Sequence, residues 1–179
     1  MQPPRTAKRS GCGPRSRTVF AAGAAAKPVA VGPGESLELE HFFPYRLSVL
    51  SNRVSRSIAR LYSERFGISI PEWRVMAVLG RFAPLTANEI TERTAMDKVA
   101  VSRAAGRLVA RRFIERRLDP SDRRRALLKL SRQGRRIYRE IVPLAQDAEA
   151  KLLAALSASE RDQINRLLKK LEGRIAAQM

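Results

Sequence analysis

The tightest constraint on this chain is the hexapeptide Leu85-Thr86-Ala87-Asn88-Glu89-Ile90. Thr86 is a strong helix N-cap. Glu89 stands three residues on, where its carboxylate can reach back to the cap's own amide, and Leu85 and Ile90 are spaced to close over the turn as a hydrophobic staple. A helix therefore starts here. It is short, running to about Thr94, because Asp97 offers a second N-cap after a link of about three residues. A second helix runs from Lys98 to about Arg112. Two short helices across a tight link form a helix-turn-helix, and few folds accommodate one.

The stretch from Phe113 to Leu130 narrows the choice. Ile114, Arg116 and Leu118 alternate with Phe113, Glu115 and Arg117, which predicts a short strand. Asp119-Pro120-Ser121-Asp122 is turn chemistry. Ala126, Leu128 and Leu130 then recur with period two, which predicts a returning strand. The unit becomes a winged helix-turn-helix, and the fold class is mainly α with a small β-hairpin wing. Upstream, Leu47, Leu50, Val54, Ile58 and Leu61 make one helical stripe that ends near Gly67, and Pro71 opens another helix. Downstream, Ser131 caps a helix over roughly 132–155, with a kink expected at Pro143. Ser157 and Glu160 form a further capping box and open a last helix carrying Ile164, Leu167, Leu168, Leu171 and Ile175.

Composition bears on partners. The 179 residues carry 35 Lys and Arg against 17 Asp and Glu, a formal charge of +18. Such an excess favours a polyanion, nucleic acid before an anionic membrane. No apolar run approaches the ~18 residues of a membrane span. His41 is the only histidine and Cys12 the only cysteine. Imidazole-centred catalysis, multi-His zinc sites and disulfides are therefore excluded, and neither a cofactor, a metal nor an enzyme is expected. Residues 1–38 lack a periodic stripe and hold six basic residues before the first acid, Glu35. They read as a disordered basic tail rather than a secretion signal. Residues 39–179 form the folded domain.

Helix 98–112 is the candidate recognition helix. Val101, Ala104, Ala105 and Leu108 share one side; Val99, Ser102, Arg103, Gly106, Arg107 and Ala110 share the other. Small residues admit DNA close to the backbone, and arginine can fork onto guanine in the major groove. Lys98 and Ser102 stand near the helix start, placed for phosphates or bases. Ordinary solvated arginines would explain Arg103 and Arg107 taken alone. From Arg107 to Arg139, however, thirteen basic residues face only Glu115, Asp119 and Asp122. The wing tip would carry Arg123, Arg124 and Arg125 toward a minor groove, whose negative potential attracts arginine. Asp122 either orients one of them by a charge-assisted pair, caps the turn, or does both.

These residues resemble a known family. LDPSDRRRALLKLSRQG is similar to the wing of MarR-type transcriptional regulators, with its Asp-Arg-Arg and its Leu-x-Leu-Ser-x-x-Gly. MDKVAVSRAAGRLVARRFIERR resembles their recognition helix and first wing strand. The resemblance covers about residues 42–179. It implies a DNA-binding lobe at about 68–131, with about 42–66 and 132–179 as a helical dimerisation region. It also implies that Arg124 is the minor-groove arginine with Asp122 as its orienting partner, and that Arg123 and Arg125 are phosphate neighbours. It further implies an obligate homodimer on a pseudo-palindromic double-stranded DNA operator, acting in the cytoplasm on the nucleoid. The long apolar stripes of the first helix and the last two helices support pairing independently. Similar proteins are typically repressors released by aromatic acids or acyl-CoA thioesters, bound between the dimer helices and the DNA-binding lobe. His41, Tyr45, Arg46, Trp73 and Arg74 are the candidates for that pocket, although Trp73 suits core packing better than a ligand platform and His41 suits a capping or surface role better. Cys12 lies in the tail, far from the first helix where some relatives sense oxidants. The alternative is a weakly specific architectural DNA- or RNA-binding protein.

Overall fold

The computed structural model describes residues 37–122 and 124–177. The tail reading and Cys12 fall on residues before these, and Arg123 falls between them. Among the described residues, six helices and one hairpin succeed one another in chain order: α1 (Phe43–Phe66), α2 (Ile70–Phe82), α3 (Ala87–Thr94), α4 (Lys98–Ala110), β1 (Ile114–Leu118), β2 (Ala126–Leu130), α5 (Arg132–Leu153) and α6 (Ala158–Ala176). The expected winged helix-turn-helix is present, mainly helical with a two-stranded antiparallel wing.

Local chemistry sets the boundaries. Gly67 ends α1 at φ 61°, in the left-handed region that glycine enters without strain. Ser69 and Glu72 form a capping box at the start of α2. At α3 the expected box is closed: the Glu89 carboxylate accepts from the Thr86 amide at 2.6 Å and its hydroxyl at 2.7 Å. Leu85 and Ile90 are both buried. Leu85 also exchanges two backbone hydrogen bonds with Leu128, at 2.7 and 3.1 Å, tying the start of the helix-turn-helix to the wing. One lone leucine between a turn and a cap gave no strand signal.

The recognition helix stops two residues earlier than expected. Arg112 takes φ 58°; its amide donates to Val109 and the Phe113 amide donates to Leu108. This pair of bonds is the Schellman closure, built here on arginine where glycine is the usual occupant. Helix α5 runs unbroken through Pro143.

The core sits where α2, α3 and α4 meet the hairpin and the start of α5. Val75, Met76, Leu79, Ile90, Val101, Leu108, Ile114, Leu130 and Ile141 are all buried there. Hairpin and α5 are joined at Ser131. Its amide donates to the Phe113 carbonyl at 3.0 Å, its hydroxyl donates to the Arg112 carbonyl at 2.7 Å, and the same oxygen accepts from the Gly134 amide at 3.0 Å. A Cβ on Gly134 would overlap the Phe113 carbonyl oxygen, so only glycine fits. By contrast, α6 buries no residue, and Ile164, Leu167, Leu168, Leu171 and Ile175 stand exposed along it.

Two substitutions separate these effects. Gly134→Ala is expected to destabilise the protein by about 2 kcal/mol or more, since the obstacle is backbone. Arg112→Gly is expected to stabilise it by up to about 1 kcal/mol by relieving a left-handed non-glycine residue. Denaturant titrations of both against the wild type read the two signs.

Candidate nucleic-acid interface

The two helices of the reading unit are held by side-chain caps. Ala95 turns the chain at φ 50°, and the Asp97 carboxylate accepts from the Ala100 amide at 2.8 Å to start α4. Val101, Ala104, Ala105 and Leu108 face the core as the periodicity requires. Lys98, Val99, Ser102, Arg103, Gly106, Arg107 and Ala110 are exposed on the opposite side. A side chain at Gly106 would meet nothing within 4 Å, so this part of the face is open.

The two outer arginines have different settings. Arg103 projects freely. Arg107 is held through its Nε, 3.2 Å from a carboxylate oxygen of Glu72. Glu72 is 4% exposed, and its other oxygen accepts from the Ser69 amide at 2.8 Å. Burial pushes its pKa up, but the hydrogen bonds from Ser69 and Arg107 outweigh that and hold the carboxyl below its usual range. One turn later, Arg111 donates to the Phe66 and Gly67 carbonyls, both at 2.6 Å, and lies 4.5 Å over the Phe113 ring. Arg107 on α4 thus holds the first turn of α2, and Arg111, just past the end of α4, holds the end of α1. Sequence reasoning missed Glu72 and Arg111. The carbonyls at the end of α1 need donors, but nothing in the sequence says which side chain supplies them.

The wing tip is closed by carboxylates bonded to backbone. The Asp119 carboxylate accepts from the Ser121 amide at 2.9 Å and hydroxyl at 2.7 Å, which holds its pKa down. The Asp119 amide donates to the Arg125 carbonyl at 2.9 Å. Asp122 accepts from the Arg124 amide at 3.0 Å, so it fixes Arg124 through the backbone and leaves the guanidinium exposed. The Arg125 guanidinium lies 3.9 Å from Glu89 at the start of α3. Between wing and recognition helix runs a groove of about 310 Å³, shared by Ser102 and Gly106 with Arg116 and Ala126. The hairpin therefore stands directly beside the outer face of α4.

A second cleft, of about 660 Å³, lies among α1, α2 and α5. Trp73 lines it, 5.9 Å from the Tyr138 ring and 5.6 Å from the buried Tyr62. Arg53 and Glu149 are its charged walls, and the sequence did not single them out. Of the five expected pocket residues, Trp73 alone is in the lining. Arg74 instead donates to the Ser55 hydroxyl at 3.0 Å. His41, Tyr45 and Arg46 are exposed at the start of α1.

Comparison with known proteins agrees with this geometry. A profile of the MarR family matches residues 66–125. The transcriptional repressor MprA of Escherichia coli is 32% identical over 88 residues, 49% of this chain and 50% of MprA. The chain thus spans about half the length of that curated relative. The crystal structure of a MarR/EmrR family transcriptional regulator from Acinetobacter sp. ADP1 superposes with a TM-score of 0.72 at 28% identity, covering 80% of this chain and all of that one. A MarR variant from E. coli complexed with operator DNA gives 0.66 at 28% identity, over 76% of this chain and 99% of that one.

The Glu72 carboxylate makes stability depend on pH with a definite sign. A depressed pKa in the folded state contributes stability above the unfolded value, near 4.5, and loses it as pH falls through the folded value. Glu72→Gln keeps the shape of the cap and removes the charge. The melting-temperature gap between wild type and variant is expected to be full at pH 7 and to shrink as pH drops below about 4.5, read by thermal melts across pH.

Proposed function

We propose that this chain, whose residues 66–125 match the MarR family profile, is a MarR-family regulator: a sequence-specific transcriptional repressor that binds a pseudo-palindromic duplex operator as a homodimer. The observation that carries this reading is the juxtaposition of the outer face of α4 with the wing, which share one groove. Arg103, Ser102 and Lys98 then face the major groove, and Arg124 at the closed tip enters the adjoining minor groove. Arg107, tethered to Glu72, has less freedom to search and suits a fixed phosphate or base-edge contact. Arg123 and Arg125 act on phosphates flanking the tip.

Pairing is supported by the exposed apolar side chains of the end helices. Leu167, Leu168 and Leu171 on α6, and Phe43, Leu47 and Leu50 on α1, are all at least two-fifths exposed in the single chain. A second copy would bury them about a two-fold axis and set the two recognition helices about one helical turn of DNA apart. Acting on operator DNA places its site of action in the cytoplasm, on the nucleoid.

The cleft beside Trp73 is the effector site. It offers an aromatic wall of Trp73 and Tyr138 and one cation, Arg53, which suits a small aromatic acid or acyl-CoA-type thioester. Its walls are α1, α2 and α5; the start of α2 is held by Arg107 of the recognition helix, and the end of α1 by Arg111 just past that helix. A ligand that favours one cleft width shifts the population of α4 positions, and by linkage DNA and ligand weaken each other equally.

Selection of bound sites from random DNA is the primary test. A two-fold symmetric motif with half-sites about ten base pairs apart is expected, with preference over scrambled DNA of at least about a thousandfold. Absence of a motif leaves a weakly specific architectural protein. On the selected site, Arg124→Ala is expected to cost more than Lys129→Ala. Arg103→Ala should relax base preference at one position rather than weaken all sequences alike.

A further inference from the structure

Only one face of the hairpin looks at α4. The register sets Arg116 opposite Leu128, and both line the groove shared with the recognition helix. Glu115 and Lys129 are paired on the other face, 3.3 Å apart. There Lys129 opens into a hollow of about 360 Å³ with Arg81 from the end of α2 and Arg135 and Arg139 from α5. Arg135 and Arg139 continue into an adjoining hollow with Arg132 and Arg136. The surface is only partly neutralised. Glu115 is shared by Lys129 and Arg117, and Glu140 by Arg136 and Arg65. Arg135 donates to the Leu130 carbonyl at 2.9 Å, which orients it without cancelling its charge. Arg81, Arg132 and Arg139 are exposed and meet no carboxylate within 4.0 Å among the described residues.

This placement is unfavourable for the isolated protein. Four arginines occupy the first eight residues of α5, and no acid stands in its first turn. They oppose the positive end of the helix dipole and repel one another. A polyanion laid over them would reverse the sign of both effects.

We propose that this surface, on the far side of the hairpin from α4, binds backbone phosphates of the same duplex beyond the half-site. The inference rests on the DNA-binding role proposed above. The spatial order supplies the reason. If α4 occupies a major groove and the wing tip the next minor groove, the face of the wing turned away from α4 overlooks the DNA beyond that groove. Long exposed arginines without carboxylate partners suit phosphate neutralisation, which releases counterions and reads no sequence. The contact would extend the footprint and strengthen binding without altering the motif.

The test uses the full chain and the operator selected by it. Affinity is measured across salt on a minimal duplex and on one lengthened at each end by about ten base pairs of unrelated sequence. The wild type is expected to gain about tenfold on lengthening at low salt, with a steeper salt dependence. Arg132→Gln/Arg139→Gln and Arg81→Gln are expected to bind the minimal duplex as the wild type does and to lose that gain. Their salt slope should fall by about 0.9 for each phosphate contact removed. Arg132→Lys/Arg139→Lys keeps the charge and is expected to keep the gain; loss in that variant would mark the effect as structural and overturn the proposal. A wild type that gains nothing on lengthening, or Gln variants that keep the whole gain, overturns it while leaving the operator reading intact. Equal losses on both duplexes overturn it by placing these arginines in the half-site contact. A wild type that selects no site refutes both readings.

Discussion

The arrangement of α4 and the wing depends on one junction, the meeting of Phe113, Ser131 and Gly134. Ser131 bonds to both carbonyls just beyond α4 and caps α5 with the same hydroxyl. The wing is thereby referenced to the recognition helix at one end and to α5 at the other. Gly134 is the steric condition for this, since its missing side chain leaves room for the Phe113 carbonyl. A register slip of one residue would turn Leu128 and Leu130 outward and Lys129 into the core. It would also bring Lys129 onto the face of the hairpin that carries Arg116. The Leu-x-Leu-Ser-x-x-Gly signature is therefore a packing requirement first, and the position of the wing tip is its consequence.

Charge in this molecule is organised on two levels. Some arginines are spent on the fold: Arg111 completes the end of α1, Arg107 neutralises the buried Glu72, and Arg135 holds the last carbonyl of β2. Others, such as Arg103, Arg124, Arg132 and Arg139, stand exposed. The first group ties neighbouring elements to one another; the second leaves the surface positively charged. The clasp of Arg107 and Arg111 also connects recognition helix to cleft. Glu72 and Trp73 are consecutive on α2, one holding α4 and the other lining the cavity.

Much of this was legible in the sequence because it is local. Capping boxes at Thr86 and Ser157, the αL glycine at Gly67 and the period-two run Ala126–Leu130 each involve atoms a few residues apart, and each element lies where those signals put it. The inward and outward faces of α4 came from helical geometry alone. The end of α4 did not, because Arg112 adopts a left-handed conformation that its side chain disfavours and the tertiary turn to Phe113 imposes. The Leu85–Leu128 bridge was hidden for a similar reason: its partners are far apart in the chain.

The sequence by itself determined the elements, their order and the positive sign of the surface, since caps, periodicity and net charge are properties of short stretches or of sums. Tertiary structure alone decided which arginines are bound and which are free. It placed Trp73, rather than His41, Tyr45 or Arg46, in the cleft, and it gave the hairpin two different basic faces. The physical reason is that a guanidinium's role is set by the acceptors within about 4 Å of it, and those acceptors come from segments the chain brings together only by folding.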